Sequence, residues 1–217
     1  MTTCQKFVSE LSSLSFSNTF NPYRDCCPVF DYESSPKMRR AMFLSILSAA
    51  CDSGVDALWI GRDLGYRGGR RTGLALTDQV NVEAHLRRWG VSGSEKALVK
   101  GSAQAERTAS VVWEMVEKIE NTVFMWNVFP LHPHNAENHF SNRGHTSKER
   151  VAGEEILSAM IRLLRPKRLI AIGQDAANSA QRCASNGKHD VVAVRHPSYG
   201  GLRDFQSGIH KAYGFPN

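Results

Sequence analysis

Four short apolar segments alternate along this sequence with longer stretches of helical periodicity, and that alternation constrains the fold more than any other feature. The segments are predicted strands at 57–60, 122–128, 168–172 and 191–194. Strands that alternate with helices pair in parallel and are covered by helices on both faces. The sequence therefore predicts an α/β protein, a three-layer α/β/α fold with a central, mainly parallel four-stranded sheet.

The stretches between these strands carry apolar residues at helical spacing. They predict helices at 36–51, 80–89, 103–118, 147–164, 174–186 and 201–213, with a Gly- and Arg-rich loop at 62–78. Thr146 or Ser147 is expected to cap the helix that begins near residue 147, with Glu149 in its first turn. The length fits one domain over residues 1–217, with the first ~20 residues at its periphery.

Composition narrows the class of partner and compartment. The net charge of +6 favours a polyanionic partner such as a nucleic acid. The five cysteines include no CxxC pair, so they indicate neither a disulfide framework nor a zinc ribbon, and they favour a reducing compartment. No apolar stretch approaches the ~18 residues of a membrane span. We therefore expect an intracellular protein (cytoplasmic in a bacterium) with no membrane partner. We also expect it to use no metal and no cofactor.

Polar side chains follow three of the predicted strands. Gly61, Arg62 and Asp63 follow the first strand, and Asn127 lies near the end of the second. The segment 195–198 (RHPS) follows the fourth strand. Because ligands bind at the carboxyl ends of the strands in such sheets, we expect these groups to meet at one rim.

The residue types at this rim suit the cleavage of a base from a sugar. That reaction builds positive charge on the sugar, which a carboxylate such as Asp63 stabilises while it orients a water molecule. It also builds negative charge on the leaving base, which a histidine donor such as His196 stabilises. The amide of Asn127 donates and accepts at once, so it can recognise one edge of a base.

Several segments, taken in order, resemble the motifs of the uracil-DNA glycosylase superfamily. They are 60–65 (IGRDLG), 72–76 (TGLAL), 126–128 (WNV), 164–173 (LRPKRLIAIG) and 195–198 (RHPS). The order and spacing hold from about residue 20 to the C-terminus. The resemblance implies a base-excision-repair enzyme that flips uracil or a related deaminated base out of DNA and hydrolyses its N-glycosidic bond.

The resemblance also implies roles for individual residues. Asp63 and His196 correspond to the catalytic positions. The implied base-binding residues are Gly61, Arg62, Leu64, Gly65, Tyr66, Leu76 and Asn127. The implied DNA-binding residues are Arg67, Arg70, Arg71, Ser198, Tyr199, Leu202 and Arg203. Leu202 is expected to be the apolar wedge that enters the duplex. We expect the partner to be DNA that contains a damaged base, and we expect the protein to be a monomer.

Three positions depart from the superfamily's uracil-specific branch. Gly65 stands where that branch has a tyrosine that excludes the thymine methyl group, and Leu64 replaces a proline. Leu76 stands where a phenylalanine stacks on the base. We therefore expect weaker or broader base specificity, unless Tyr66 closes the gap beside Gly65. The cysteines do not match the iron–sulfur branch, so no cluster is expected.

Three other functions remain open at the level of sequence. A dinucleotide-binding enzyme would explain the glycines after the first strand, although the G-x-G-x-x-G spacing is absent. A metal-dependent hydrolase would use the histidine-rich loop 132–145, although its spacing fits no zinc template. A nucleic-acid-binding protein with the same fold and no glycosylase activity is the third.

Overall fold

The predicted alternation of strands and helices is present in the computed structural model, which describes residues 1–92, 98–184 and 189–215. Its strands are Thr19–Phe20 (β1), Ala57–Asp63 (β2), Val123–Phe129 (β3), His132–Pro133 (β4), Arg168–Ile172 (β5) and Asp190–Val194 (β6). Its helices are Thr3–Ser13 (α1), Ser35–Ser53 (α2), Gly69–Thr72 (α3), Val82–Arg88 (α4), Arg107–Val116 (α5), Ser147–Leu164 (α6), Gln174–Cys183 (α7) and Leu202–Tyr213 (α8).

Four of these strands form the central sheet in the order β3-β2-β5-β6, and every pairing is parallel. β2 lies inside the sheet, where Ile60 is level with Trp126 of β3 and with Ala171 of β5. β1 and β4 form a separate antiparallel pair. The predicted three-layer α/β/α fold with a parallel four-stranded sheet is confirmed for the described residues.

The sheet is buried on both faces, and successive residues of each strand enter opposite cores. Leu58 and Ile60 of β2 join the larger core, which α1, α2, α6 and α7 cover. Ala57 and Trp59 join the smaller core, which α5 and α8 cover. The continuous apolar sequence of β2 follows from this two-sided burial, because neither face of the strand meets water.

Most element boundaries agree with the sequence within a few residues. α6 begins and ends where it was predicted, and Thr146 caps it in a capping box with Glu149. β2 continues to Asp63, beyond its predicted end, because it stays paired with β3 that far. α3 is a short helix inside the predicted loop 62–78. The predicted end of α7 at residue 186 lies outside the described residues.

The N-terminal segment is not peripheral, which corrects the expectation from the sequence. α1 buries Cys4, Phe7, Val8 and Leu11, and this helical spacing places them on one face. α1 packs against α2, and the Phe7 ring meets Trp126 of β3 edge-on at 5.9 Å. The segment therefore closes one side of the larger core.

A buried ion pair joins α2 to the loops around the sheet. Arg39 of α2 donates to both carboxylate oxygens of Asp31, at 2.9 and 2.7 Å, and both side chains are buried. Arg39 also donates to the carbonyl oxygens of Pro22 and of Arg71. One guanidinium group thus fixes three chain segments, and the hydrogen bonds compensate for removing both charges from water.

None of the helices in the described parts of the chain combines the length and the apolar character needed to cross a membrane.

Replacing the buried arginine tests this interpretation. Arg39→Met should lower the free energy of unfolding by about 3–5 kcal/mol, because it leaves the Asp31 carboxylate buried without its partner. Arg87→Met is the matched control, since Arg87 pairs with Glu83 on an exposed surface of α4 and should contribute less than about 1 kcal/mol. Urea unfolding measures both variants, and equal losses would contradict the role assigned to Arg39.

Candidate active site

The carboxyl ends of the parallel strands form one rim of the sheet. Asp63 is the last residue of β2 and lies opposite Phe129 of β3. Asn127 of β3 lies opposite Gly61 in the same register. His196 comes shortly after β6 ends. Parallel pairing therefore brings together side chains from three distant parts of the sequence.

A cavity of about 560 Å³ opens at this rim. Its walls include these predicted site residues: Gly61, Arg62, Asp63, Leu64, Gly65, Leu76, His196, Ser198 and Tyr199. Glu106, Thr108 and Ile172, which the sequence did not single out, also line it. The volume lies within the ~300–1,000 Å³ typical of small-ligand pockets.

The carboxylate of Asp63 is held by one partner on each oxygen. His145 Nδ1 lies 2.5 Å from Oδ1, and Arg62 Nε donates to Oδ2 at 2.8 Å. Since a carboxylate accepts hydrogen bonds, Nδ1 of His145 carries the proton. Arg62 also reaches Asp175 in the first turn of α7, at 3.3 Å. These contacts fix the orientation of Asp63 at the edge of the cavity.

His145 was not among the predicted site residues. The sequence placed it only in the histidine-rich loop, as a possible metal ligand. It lies 82 residues from Asp63, and no local pattern couples the two positions. The contact forms because His145 stands just before α6, which packs against β3 beside the end of β2.

His196 is a neutral hydrogen-bond donor at neutral pH. Burial lowers the pKa of its imidazole, and the nearby cations Arg62 and Arg195 lower it further. The backbone N–H of Ser198 donates to Nδ1 at 3.2 Å. Because Nδ1 accepts, the proton of the neutral ring is on Nε2. The ring therefore offers an N–H group without carrying a full positive charge.

Asn127 is buried behind Gly61 and Leu76. A Cβ atom at Gly61 would collide with Oδ1 of Asn127 and approach the Leu76 side chain at 3.1 Å. The absence of a side chain at residue 61 therefore makes room for the amide. Oδ1 accepts no hydrogen bond within the described residues, although it is buried. An unpaired buried acceptor is costly, which is consistent with a ligand that donates to it.

Leu76 has a strained backbone at the cavity wall. Its φ of 53° is in the left-handed region, which a leucine rarely adopts. The neighbouring Ala75 and Thr77 are buried and hold the turn, with Thr77 Oγ1 donating to the carbonyl oxygen of Ala75 at 3.0 Å. The half-buried Leu76 side chain forms an aliphatic surface inside the cavity.

The side of the cavity beside Gly65 is occupied by Glu106. A Cβ atom at Gly65 would lie 2.6 Å from Oε1 of Glu106, and a Cβ at Gly68 would collide with Oε2. Burial raises the pKa of Glu106, the nearby carboxylate of Asp78 raises it further, and Arg67 opposes both. The space opened by the glycine therefore contains a carboxyl group.

Tyr66 and Arg67 lie on the outer part of the same loop. Tyr66 is half-buried, and its backbone N–H donates to Asn142 Oδ1 at 3.0 Å. Arg67 is exposed and donates from Nε to the Tyr66 hydroxyl at 2.7 Å. This tyrosine is therefore tied to the surface arginine.

Arg70 and Arg71 are buried, which is contrary to the exposed phosphate contacts expected of them. The Arg70 guanidinium lies 3.8 Å from the centre of the Phe20 ring, and the Arg71 guanidinium lies 3.8 Å from that of Phe30. Arg70 Nη1 also lies 3.0 Å from His132 Nδ1. These cation–π contacts join β1 and the segment around Phe30 to α3, so both arginines have structural positions.

The segment after β6 presents one fully exposed aromatic ring. Tyr199 is 99% exposed, and its φ of 54° turns it away from the protein. Leu202 is half-buried in the first turn of α8, and Arg203 beside it is exposed. Ser198 Oγ lies 3.4 Å from Thr108 Oγ1 at the beginning of α5. The tip of this segment is therefore Tyr199 rather than Leu202.

The histidine-rich loop 132–145 forms a hydrogen-bonded structure. His132 contacts Arg70 through Nδ1, and its Nε2 lies 2.9 Å from the carbonyl oxygen of Ser141. Burial and the charge of Arg70 lower the pKa of His132 to about 3. Across residues 1–92, 98–184 and 189–215, no group of three or more His, Cys, Asp or Glu side chains has an arrangement that could hold a metal ion.

The fold and the site together are those of an α/β protein with a ligand-sized cavity at the carboxyl ends of its parallel strands. The chain belongs to the uracil DNA glycosylase superfamily, whose family profile matches residues 49–207. The resemblance drawn from the motifs is thereby confirmed. No curated protein sequence gives a significant match.

Two solved structures are similar over nearly the whole chain. Wild-type SMUG2 from Pedobacter heparinus is 16% identical, with a TM-score of 0.62, and the match covers 99% of this chain and 96% of that chain. A mutant of UNG from Nitratifractor salsuginis is 14% identical, with a TM-score of 0.38, over 98% of this chain and 96% of that chain. The likeness to SMUG2 supports the same fold.

The protonation of His196 provides a direct test of the site's electrostatics. The pKa of its imidazole should lie below the ordinary value of about 6.5. Arg62→Gln should raise this pKa, because it removes one neighbouring cation, while burial should keep it below the ordinary value. An NMR titration of the histidine ring protons measures both effects. An ordinary pKa in the unmodified protein would contradict the assignment.

Proposed function

We propose that this protein is a DNA glycosylase that hydrolyses the N-glycosidic bond of a flipped damaged base, uracil or a related deaminated base. One observation carries the proposal. Asp63, held by His145 and Arg62, shares a cavity with a neutral His196 whose Nε2–H is a donor. Membership of the uracil DNA glycosylase superfamily supports the same function.

The two side chains match the charges that develop when the bond breaks. The sugar becomes cationic as the base departs with the bonding electron pair, and the Asp63 carboxylate stabilises that cation. Asp63 also orients the water whose oxygen bonds to C1′ and accepts its proton. His196 donates from Nε2 to a carbonyl oxygen of the leaving base. A neutral donor suits this role, since a buried imidazolium beside Arg62 and Arg195 would be costly.

The amide of Asn127 recognises the edge of the flipped base. Its unpaired Oδ1 accepts from a ring N–H, and its amide group donates to the adjacent carbonyl oxygen. Leu76 and Gly61, which lie against the amide, form the surface under the ring. An aliphatic residue provides less stacking than an aromatic ring, which contributes about 1–3 kcal/mol per base. We therefore expect weaker base binding than an aromatic platform gives.

The exposed groups around the cavity form the DNA-binding surface. Ser198 lines the cavity mouth, and the exposed cations Arg67 and Arg203 are available to phosphates. The net charge of +6 favours a polyanion in the same way. Tyr199, at the tip of its segment, is the side chain best exposed to enter the duplex.

Loss of the carboxylate tests the chemistry. Asp63→Asn should slow single-turnover excision of uracil by at least about a hundredfold while leaving DNA binding nearly unchanged, because it removes an interaction made mainly in the transition state. Asp52→Asn is the control, since Asp52 is exposed near the end of α2, before β2 begins. Excision and binding are measured with the same labelled oligonucleotide.

The unmodified protein separates the proposal from its alternatives. A panel of uracil, hypoxanthine, xanthine and mismatched thymine, in single- and double-stranded DNA, covers the expected substrates. Binding without excision of any of them would favour a non-catalytic DNA-binding protein. Excision that a chelator abolishes and added zinc restores would favour a metal-dependent enzyme. Unchanged excision by Asp63→Asn would remove Asp63 from the mechanism.

The strand preference of two variants tests the DNA-entering residue. Tyr199→Ala should lose about tenfold or more activity on duplex DNA and much less on single strands, because only the duplex must be unstacked. Leu202→Ala should show a smaller duplex-specific loss, because Leu202 is half-buried at the start of α8. The duplex-to-single-strand activity ratio is the measurement. A larger duplex-specific loss for Leu202→Ala would return the wedge role to Leu202.

A further inference from the structure

The cavity wall beside Gly65 is built around a carboxyl group. Gly65 and Gly68 both lie beside this carboxyl group, and neither has a positive φ. The Glu106 carboxyl group lies where a Cβ atom at either position would be, 2.6 Å from that of Gly65 and in collision with that of Gly68. The carboxyl group of Glu106 therefore occupies the space beside these two glycines in the wall of the cavity.

The backbone of Glu106 is fixed by a buried neighbour. Its N–H donates to Oδ2 of Asp78 at 2.6 Å, and Asp78 is fully buried. Oδ1 of Asp78 accepts from both the backbone N–H and the side-chain amide of Asn81, at 3.1 and 2.8 Å. Glu106 then begins α5, as its N-cap. The backbone from which the carboxyl group extends into the cavity wall is therefore fixed.

We propose that Glu106 determines which pyrimidines the site accepts, by placing a carboxyl group against the 5-position of the flipped base. This inference rests on the proposed function and deepens it. The accepted bases are uracil and uracils whose 5-substituent donates a hydrogen bond. The rejected bases carry an apolar or an anionic 5-substituent. The gap left at Gly65 is therefore closed by an acidic group, and Tyr66 is not its gate.

The orientation of the base follows from the groups already assigned. A pyrimidine bound to His196 through O2 and to Asn127 through N3 and O4 has one remaining edge, C5–C6. The C6 end of that edge lies beside the sugar, next to Asp63. Gly65 corresponds to the tyrosine that excludes the thymine methyl group in the uracil-specific branch, so we place the C5 end against the wall that Gly65 and Glu106 form.

The chemistry of a carboxyl group sets the selectivity at that wall. A methyl group pressed against it removes water without offering a hydrogen bond in return, which is unfavourable for a buried polar group. A carboxylate substituent on the base would place two like charges together. A hydroxymethyl group donates to an oxygen of Glu106 and keeps it satisfied. The hydrogen atom at the 5-position of uracil itself is small enough to fit there without touching the carboxyl group.

Two variants at Glu106 test the proposal by selectivity rather than by total activity. Single-turnover excision is measured for uracil, thymine, 5-hydroxymethyluracil and 5-carboxyuracil in the same DNA sequence. Glu106→Ala should raise the thymine-to-uracil ratio and lower the 5-hydroxymethyluracil-to-uracil ratio, each by about tenfold. Glu106→Gln keeps the shape and should raise the 5-carboxyuracil-to-uracil ratio, because the charge is gone. Glu114→Gln, on the exposed side of α5, is the control.

Each outcome decides the question. The expected shifts in ratio, with the control unchanged, support the assignment. Uracil excision with unaltered ratios in both variants overturns the inference and leaves the proposed function intact. If Glu106→Ala fails to fold, the 5-carboxyuracil ratio of Glu106→Gln decides alone. Absence of excision by the unmodified protein overturns the proposed function and, with it, the inference.

Discussion

The parallel pairing of β2 with β3 and β5 is the constraint on which the site depends. Parallel strands end on the same side of a sheet, so segments far apart in the chain deliver their last residues to one rim. The register sets Gly61 level with Asn127, and it carries β2 far enough to end on Asp63. A slip of one residue would send each of these side chains to the opposite face.

A second set of contacts indirectly holds the Asp63 carboxylate at that rim. Arg143 donates to both oxygens of Glu149, at 2.8 and 2.7 Å, and Glu149 completes the capping box of α6. Arg143 also donates to the carbonyl oxygen of Asn18. These bonds fix the turn that contains His145, and His145 in turn fixes Asp63. The N-terminal segment, the histidine-rich loop and α6 therefore share one electrostatic framework with the cavity.

The residues Arg70, Arg71 and Gly65 show that tertiary contacts can change the role that a residue type suggests in the sequence. Arg70 and Arg71 resemble a phosphate-binding pair in sequence, yet both are buried and each guanidinium group lies against a phenylalanine ring, Phe20 or Phe30. The glycine at residue 65 suggests an open space in the cavity wall, yet the carboxyl group of Glu106 fills that space. In both cases the partner comes from a segment distant in the chain. Charge and size are local properties, whereas exposure and neighbours depend on packing.

The sequence by itself determined the strand–helix alternation, the two-sided burial of the sheet and the placement of Asp63, Asn127 and His196 at strand ends. These features follow from local periodicity and from the geometry of parallel sheets, so no knowledge of long-range contacts was needed. Only the tertiary structure decided that α1 belongs to the core, that His145 anchors Asp63 and that Glu106 lies beside Gly65. Such contacts join segments with no shared sequence pattern, and they form only when the folded core fixes which surfaces meet.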